Sequence, residues 1–420
     1  MSDLVVPADL VEEILVRLPV KSILKFKTIS RPWKSIVEST SFARRRRRII
    51  MNTTKPQILA AATAGNHETL RRRFKEEEEE EEVEMFYLHC DAAATLPSLT
   101  CDGLVCIPVP GSINVLNPST GELLSFPSGP DPVKTNRYDR PIFDDSWWHT
   151  FPGYWAMGFG RDEVNGSYKV VRMFFDTKQS EILDINIGEW RKLPSPQPYY
   201  VEARRKSACV NGSIYWLNYD LSATYWIRNN PDYKILALDL HTEEFRDVPP
   251  PPTLAEPGQL VNLQDRLAIA IANAPPYYWE LTIWSMDVAE EETWSKTYCI
   301  RLFSRDLSPR MWRMWCRPLA VSKRGTLYFH DNVNRLFKYC PDTGLVRCIS
   351  FGVRVISPFT ENFFPLRHVD SASGMRTFGF QHLIPESWIS KTLRRIDLQI
   401  PNILFTSTVA AFVVLLATRS

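Results

Sequence analysis

The sequence predicts an α+β multidomain protein, in which a small unit of three N-terminal helices precedes an all-β ring of about six blades. Apolar residues in the first thirty-seven positions recur at helical spacing. From residue 85 onward, β-branched and aromatic runs alternate with turn residues. A stretch dense in like charges separates these two regions. A chain of 420 residues is also longer than one ordinary core requires, which agrees with two domains of unequal size.

The first predicted helix starts at Pro7 and ends before Pro19. A proline is tolerated in a first helical turn, where its missing N–H has no intrahelical partner to lose. Glu13 and Arg17 have the spacing of an i,i+4 ion pair on the polar side. The apolar residues occupy one arc of about 140°; they are Leu10, Val11, Ile14, Leu15 and Leu18.

Two further short helices are expected before residue 38. The second starts near Lys21, and Ser30 is a plausible N-cap for the third, with Pro32 in its first turn. Their apolar residues are Ile23, Leu24, Phe26, Trp33, Ile36 and Val37. Three helices this short carry more apolar surface than they can bury among themselves. Either a partner protein covers the surplus, or the helices form an ordinary subdomain that packs on its own chain.

The order of residues 6–37 resembles the F-box signature, L-P-x-D-L-x-x-E-I-L-x-R-L-P-V-K-S-L-L-x-F-x-x-V-S-x-x-W. The departures are Val6, Ile23, Thr28 and Ile29, and none alters the apolar pattern. The resemblance implies that the helices bind a Skp-type adaptor and, through it, a cullin–RING ubiquitin ligase. Carried over position by position, the implied adaptor contacts are Pro7, Leu10, Ile14, Leu15, Leu18, Pro19, Val20, Leu24 and Trp33.

Blocks of like charge follow the helices. Residues 44–48 and 71–73 are arginines, and residues 76–82 are glutamates. Such blocks repel one another and pack poorly, so the segment is expected to be a disordered linker or a loose solvated helix. The arginine run is either a solubilising edge or a nuclear-localisation or phosphate-binding patch. The predicted domains are 1–48, the helical unit; 49–84, the linker; 85–397, the β-ring; and 398–420, an apolar tail.

A turn followed by a short apolar strand recurs in the second region, roughly 45–65 residues apart. These units begin near residues 102, 166, 211, 265 and 324. A second pair of strands around a polar turn follows each unit and leads to an apolar residue such as Trp190 or Trp294. This period matches four-stranded propeller blades. Five units, with a sixth assembled from both ends of the region, predict six blades. A closed ring removes exposed sheet edges, whereas an irregular β-sandwich array remains the alternative.

The same region resembles the plant F-box-associated domain, which is kelch-like in architecture. The resemblance depends on the order of several motifs: Cys101-Asp102-Gly103-Leu104-Val105-Cys106, Asn117-Pro118-Ser119-Thr120-Gly121-Glu122, Gly158-Phe159-Gly160-Arg161-Asp162, Tyr168-Lys169-Val170-Val171-Arg172 and Asn211-Gly212-Ser213-Ile214-Tyr215-Trp216. Members of this family act as substrate receptors. The resemblance therefore implies that the ring binds a protein target.

Catalytic motifs are not found in the sequence. It contains no P-loop, no H-E-x-x-H and no G-x-S-x-G. Gly158-Phe159-Gly160 has Glu163 in place of the third glycine of a dinucleotide fingerprint, and a tight β-turn explains the pair better. We therefore expect a non-catalytic protein without cofactor or metal. Trp147, Trp148 and Trp155, in a region rich in turn residues, are candidate substrate anchors, with packing inside a blade as the alternative.

These observations predict a substrate-recognition subunit of a Skp–cullin–F-box E3 ubiquitin ligase, which recruits an unidentified protein for ubiquitination and degradation. The alternatives are an adaptor-binding scaffold without ligase function and a ligand-binding β-propeller. A net charge of +2 gives no global attraction to nucleic acid, so no such partner is expected. The N-terminus has no signal-peptide pattern and the eight cysteines form no C-x-x-C pair. The expected location is the cytoplasm, the nucleus or both, with the cysteines as thiols.

The tail from residue 398 remains open to three interpretations. Residues 398–418 carry no charge and would be long enough to span a bilayer. Gln399, Pro401 and Asn402 shorten the apolar part to about fifteen residues, which is below the usual length for a membrane span. The tail could therefore be a strand that closes the ring, a poorly ordered tail or a membrane anchor.

Overall fold

The computed structural model describes residues 7–51, 56–62, 83–89, 98–109, 112–127, 155–174, 178–199, 201, 206–219, 233–252, 258–273, 279–287, 292–302, 315–352, 354–364 and 366. The described chain begins with helices, which we call the helical module. Their bounds are α1 Ala8–Leu15, α2 Val20–Ile29, α3 Arg31–Val37 and α4 Thr40–Met51. Pro7, Pro19 and Ser30 are the N-caps of α1, α2 and α3. The three predicted helices are thus present, and α4 adds a fourth that contains the arginine run.

Most of the remaining described chain forms strands, which are arranged in six sheets. Blade 1 is β3 Leu99–Cys101, β4 Leu104–Val109, β5 Ser112–Leu116 and β6 Leu123–Pro127. Blade 2 is β7 Trp155–Arg161, β8 Tyr168–Phe174, β9 Ser180–Asp184 and β10 Trp190–Lys192. Blade 3 is β11 Ala208–Val210, β12 Ser213–Tyr219, β13 Tyr233–Asp239 and β14 Phe245–Val248. Blade 4 is β15 Gln259–Leu263, β16 Arg266–Asn273, β17 Trp279–Asp287 and β18 Thr293–Leu302. Blade 5 is β19 Cys316–Val321, β20 Leu327–Asp331, β21 Arg335–Cys340 and β22 Leu345–Phe351. Blade 6 is β2 Glu84–His89, β1 Gln57–Ala62 and β23 Arg354–Pro358.

Blade 6 closes the ring with strands from both ends of the β-region. β1 pairs antiparallel with β23 and parallel with β2. Blades 1 to 5 are antiparallel meanders in chain order. The predicted six-bladed ring, with one blade assembled from both ends, is therefore confirmed.

Apolar layers join each blade to the next. Buried residues of blades 1 and 2 share one cluster, and the same holds for each successive pair up to blades 5 and 6. Indole hydrogen bonds repeat this pattern on the outer strands. Trp190 Nε1 donates to the carbonyl of Pro127, and Trp294 Nε1 donates to that of Pro249, both at 2.7 Å. The recurring apolar positions in the sequence thus hold neighbouring blades together.

The inner strands β3, β7, β11, β15, β19 and β23 surround a central channel and run in one direction. Asp102, just after β3, lies 3.5 Å from Arg161, the last residue of β7. At the other end, Arg317 of β19 donates to the carbonyl of Leu260 of β15 at 2.9 Å, and each is the second residue of its strand. The first residues of neighbouring inner strands therefore lie at one end of the channel, and their last residues lie at the other. We call the end where the inner strands begin the start end, and the end where they stop the finish end.

One part of the predicted linker belongs to the ring. The sequence predicts a disordered or loosely helical linker over residues 49–84, but residues 57–62 form β1, whose Ile58, Leu59 and Ala60 are buried. A strand of six residues has too short a sequence pattern to be predicted alone. It is identified by its pairing with β23 on one side and β2 on the other. Residues 63–82, which include the glutamate run, lie outside the described residues.

Gly158 and Gly160 lie inside β7, and the tight β-turn predicted for them is wrong. They face the next blade, where Trp216 and Ile214 pack against the strand. A Cβ added at Gly158 would overlap the Trp216 ring and approach Ile214 Cγ2 to 2.8 Å. Trp216 is held there because its Nε1 donates to the carbonyl of Met157 at 2.9 Å. The glycines are required for close packing between blades.

The predicted apolar tail, residues 398–420, lies outside the described residues, so its three interpretations stay predictions. Among the described helices, none is long and apolar enough to cross a membrane.

Replacing Gly158 with alanine is expected to destabilise the protein by about 1–3 kcal/mol, because the new methyl group overlaps Trp216 in a filled core. Chemical unfolding of the variant measures the loss. In Gly158→Ala/Trp216→Phe the smaller ring frees the overlapping space, so the two losses should be less than additive. Full additivity would show that the indole does not set the requirement for glycine.

A buried histidine adds a dependence of stability on pH. His330 of β20 pairs with Arg317 across the strand register, and its ring centroid lies 5.5 Å from that of Trp315. Burial, together with the neighbouring positive charges of Lys206 and Arg317, lowers the pKa of His330 to about 3 from its ordinary value of 6.5. Between these two values the unfolded chain binds a proton that the folded chain does not, so stability falls as the pH falls.

Lowering the pH from about 7.5 to about 5.5 should therefore cost about 1.4 kcal/mol of unfolding free energy through His330. Urea unfolding of His330→Gln at both pH values tests this, since glutamine does not titrate. We expect a smaller acid-induced loss in the variant by about that amount. The same loss in both proteins would contradict a neutral, buried His330.

Candidate functional site

The helical module buries only part of its apolar surface within itself. Val11, Leu15, Ile23 and Phe42 form a core that also includes Phe363 from the chain after β23. Some of the surplus predicted from the sequence is therefore covered by the chain's own β-region. Leu10 and Ile29 remain 55% and 65% exposed. They are the large apolar side chains that the described part of the module leaves exposed to solvent.

The nine predicted adaptor contacts fall into three groups. Pro7, Leu10 and Pro19 are exposed. Ile14, Leu18, Val20, Leu24 and Trp33 are half-buried. Leu15 is only 2% exposed and lies in the module's own core. Trp33 packs edge-on against Phe26 with ring centroids 5.2 Å apart, so part of its indole supports α2 from within the module.

Other parts of this chain cover Leu15 fully and Leu24 in part. Leu15 lies in the module's own core and does not reach its surface. Leu24 lines a small crevice between the module and blade 1, together with Thr120, Glu122 and Phe363. Helical spacing puts both leucines on an apolar face, but it does not tell which neighbour covers that face.

Ile29 is a surface residue that the prediction left out. It is the last residue of α2 and is exposed. The sequence signal was available, since Ile29 occupies an apolar position of the signature.

Arg46 of α4 connects the module to the propeller. Its Nη1 donates to the carbonyls of Val16 and Leu18, both at 2.7 Å, just after the end of α1. Its Nε and Nη2 donate to Glu361 Oε2 at 2.9 and 2.7 Å. Burial raises the pKa of Glu361, and the Arg46 charge opposes that rise. Within the arginine run, Arg46 is therefore a structural residue and not part of a solubilising edge.

Glu361 belongs to the segment after β23, residues 359–364, which we call the strap and which makes further contacts at the junction. Phe363 meets Phe42 edge-on, with ring centroids 5.7 Å apart. The side-chain amide of Asn362 donates to the carbonyl of Asp102 at 2.8 Å and to the hydroxyl of Tyr168 at 2.9 Å. The strap thus links the module to blades 1 and 2.

Gly103 allows the strap to lie this close to blade 1. A Cβ at this position would overlap the carbonyl of Thr360, and the backbone has φ +81°, which favours glycine. Lys27 of α2 also reaches across the junction, with its Nζ 3.7 Å from a Glu122 carboxylate oxygen. The module is therefore seated at the finish end of the channel, where Arg44 and Arg48 of α4 line the cavity.

The predicted substrate anchors lie elsewhere. Trp155 is the first residue of β7, so it belongs to the start end of the ring, opposite the module. Trp147 and Trp148 lie outside the described residues. The structure therefore does not test whether the three tryptophans act together, and their role stays a prediction.

Removing the Arg46 charge is expected to separate the module from the propeller. Arg46→Met leaves the buried Glu361 carboxylate without its cation, which should cost about 3–5 kcal/mol of unfolding free energy. Glu361→Gln in the same chain should recover part of that loss. Arg48→Met, on the exposed side of the same helix, is the matched control and should change stability by at most about 0.5 kcal/mol. Equal effects of the two arginine variants in chemical unfolding would contradict this role.

Comparisons with known proteins agree with this architecture. The F-box domain family matches residues 4–45. The F-box associated beta propeller domain family matches residues 57–317, which is more than half of the chain and starts at the first residue of β1. In solved structures, the extracellular domain of the putative one component system BT4673 from B. thetaiotaomicron gives a TM-score of 0.33 at 8% identity. It covers 60% of this chain and 27% of that one, and this likeness is too weak to bear on the fold.

Relatives from Arabidopsis thaliana share nearly the whole length. F-box/LRR-repeat protein At2g43260 is 44% identical, over 95% of this chain and 94% of the relative. F-box/kelch-repeat protein At2g43445 is 43% identical, over 96% and 94% respectively. Since both the helical module and the propeller lie within these matches, the chain belongs to the plant F-box proteins that carry an F-box-associated β-propeller domain.

Proposed function

We propose that this chain is the substrate-recognition subunit of a Skp–cullin–F-box E3 ubiquitin ligase, recruiting a protein target for ubiquitination and proteasomal degradation. The observation that carries the proposal is the exposure of Leu10 and Ile29 on a helical module that is otherwise fixed to the propeller. Large apolar side chains left exposed on a small, well-packed unit are typical of a surface that a partner covers.

The proposed adaptor surface comprises Leu10 and Ile29 with the exposed prolines Pro7 and Pro19. Prolines and leucines lose little conformational entropy when a partner buries them, compared with long charged side chains. The half-buried Trp33 and Leu18 also pack within the module, so substitutions there would disturb folding as well as binding. Leu10 is exposed, so a substitution there should affect adaptor binding with less effect on folding.

A fixed spacing between the two binding surfaces supports the same proposal. The Arg46–Glu361 ion pair and the Phe42–Phe363 contact join the module to the finish end of the ring. The start end faces the opposite way and includes Trp155. We propose that the protein target binds at this start end. A rigid connection would hold the target at high effective concentration near the ubiquitin-conjugating enzyme of the ligase.

In this role the chain itself is not catalytic, because two binding surfaces at a set distance are sufficient. We further propose the cytoplasm, the nucleus or both as its location. The eight cysteines without any C-x-x-C pair are consistent with a reducing compartment.

Leu10→Asp should weaken binding of a purified Skp-type adaptor by about thirtyfold, because it places a charge in an apolar contact worth about 2 kcal/mol. Leu345→Asp is the matched control, since Leu345 is 67% exposed on blade 5, outside the module. Titration calorimetry with full-length proteins measures both affinities. Adaptor binding that survives Leu10→Asp and Ile29→Asp unchanged would refute the proposed surface.

Recruitment of cullin separates a ligase receptor from an adaptor-binding scaffold. Full-length protein, adaptor and cullin should co-elute as one complex, and Leu10→Asp should remove both partners together. A complex that contains adaptor and excludes cullin would favour the scaffold. Point variants are preferable to deletion of the helices, because deletion would expose Phe363 and leave Glu361 without Arg46.

A further inference from the structure

Positive charges gather at the start end of the central channel. The channel has a volume of about 1310 Å³, and Lys206 and Arg317 are among the residues that line it. Lys206 lies just before β11, and Arg317 is the second residue of β19. Arg354, the first residue of β23, is close enough to interact electrostatically with Lys206. Three inner strands therefore bring a cation to the same end of the ring.

The charges lie close enough to disturb one another. Burial, followed by the guanidinium groups of Arg317 and Arg354, lowers the pKa of Lys206 well below its usual range. Burial lowers the pKa of Arg317 and of Arg354 to about 10. Each group is thus held where its charged form is disfavoured. The side-chain charges that act on Lys206 are those of Arg317 and Arg354, and those that act on the neighbouring His330 are Lys206 and Arg317, so all of them are cations.

Lys206 and Arg317 have no carboxylate partner within the described residues, since no described aspartate or glutamate forms an ion pair with either of them. Among the described residues, Arg317 donates a hydrogen bond to the carbonyl of Leu260. The acidic residues that line the channel, Asp102, Glu163 and Asp265, follow the ends of inner strands and so lie at the finish end.

Elsewhere in the ring, buried cations are matched with anions. Lys169 Nζ lies 3.2 Å from both Asp162 Oδ2 and Glu243 Oε1. Arg172 Nε donates to Glu181 Oε2 at 2.9 Å. The start end departs from this pattern. Cations that lie close together in a partly dry channel repel one another and are poorly solvated, which costs folding free energy. An anion that enters the channel would recover part of that cost.

We propose that the start end of the channel is a binding site for a compact multivalent oxyanion of the phosphate class, held by Lys206 and Arg317 with Arg354 nearby. The guanidinium fork matches the oxygens of a phosphate group, and the ammonium group of lysine adds a point charge. A ligand that neutralises two or three cations would carry a similar number of negative charges. The channel is large enough for such a ligand, since small-molecule sites commonly occupy about 300–1,000 Å³.

This site is independent of adaptor docking, because the module lies at the finish end and the cations lie at the start end. A bound oxyanion would also lie at the end of the ring that we propose for the protein target. Loss of anion binding would therefore leave the affinity for the adaptor unchanged, and the two proposals can fail separately.

Pyrophosphate is the probe for the test, in titration calorimetry with the full-length protein at low ionic strength. Lys206→Met should weaken pyrophosphate binding by about tenfold or more, as expected for loss of a charge-assisted contact. Lys192→Met is the matched control, since Lys192 is exposed on the outer strand β10, and its affinity should stay within about twofold of the parent. Arg317→Met should act in the same direction as Lys206→Met.

Thermal unfolding gives a second readout, which compares Lys206→Met with the parent protein and with the control variant Lys192→Met. Without anion, Lys206→Met should melt no lower than the parent, because it removes a repelled charge. Pyrophosphate should raise the melting temperature of the parent and of Lys192→Met, but not that of Lys206→Met. Absence of pyrophosphate binding to the parent, or equal binding to Lys206→Met and the parent, would overturn the proposal.

Discussion

The pairing of β1 with β23 is the constraint on which the rest of the structure depends. It closes the ring with strands from the two ends of the β-region, Ile58 opposite Pro358 and Ala61 opposite Arg354. Because the two strands are antiparallel, β1 begins where β23 ends. The chain leaving α4 and the strap after β23 therefore meet at the same end of the channel. Arg46 can reach Glu361 and Phe42 can reach Phe363 only because of this closure.

Closure also makes the two ends of the ring chemically different. At the finish end, carboxylates lie beside arginines, as in the Arg161–Asp102 pair of blades 1 and 2 and the Arg46–Glu361 pair of α4 and the strap. At the start end, the inner strands bring Lys206 and Arg317 together without a described carboxylate partner. One end is therefore consolidated by paired charges and holds the module. The start end keeps a positive electrostatic potential, which would attract an anionic ligand.

Much of the architecture could be predicted from the sequence, because it depends on local periodicity. Three helices and six blades follow from apolar spacing and recurring turns, and the motif order indicates the family. The predictions failed where a remote segment supplies the reason. β1 is a strand because β23 and β2 pair with it, and Gly158 is a glycine because Trp216 of another blade fills the space beside the strand.

The sequence by itself determined which side chains are apolar, how they repeat and where each helix can start, since these depend on neighbours within a few residues. Only the tertiary structure decided which of them remain available to a partner. Leu10, Leu15 and Leu24 belong to the same signature, yet Leu10 is exposed, Leu15 is buried and Leu24 faces blade 1. The physical reason is that burial depends on what packs from distant parts of the chain. The same holds for charge, because Arg46 is matched by Glu361, far along the chain, whereas Lys206 lies beside other cations.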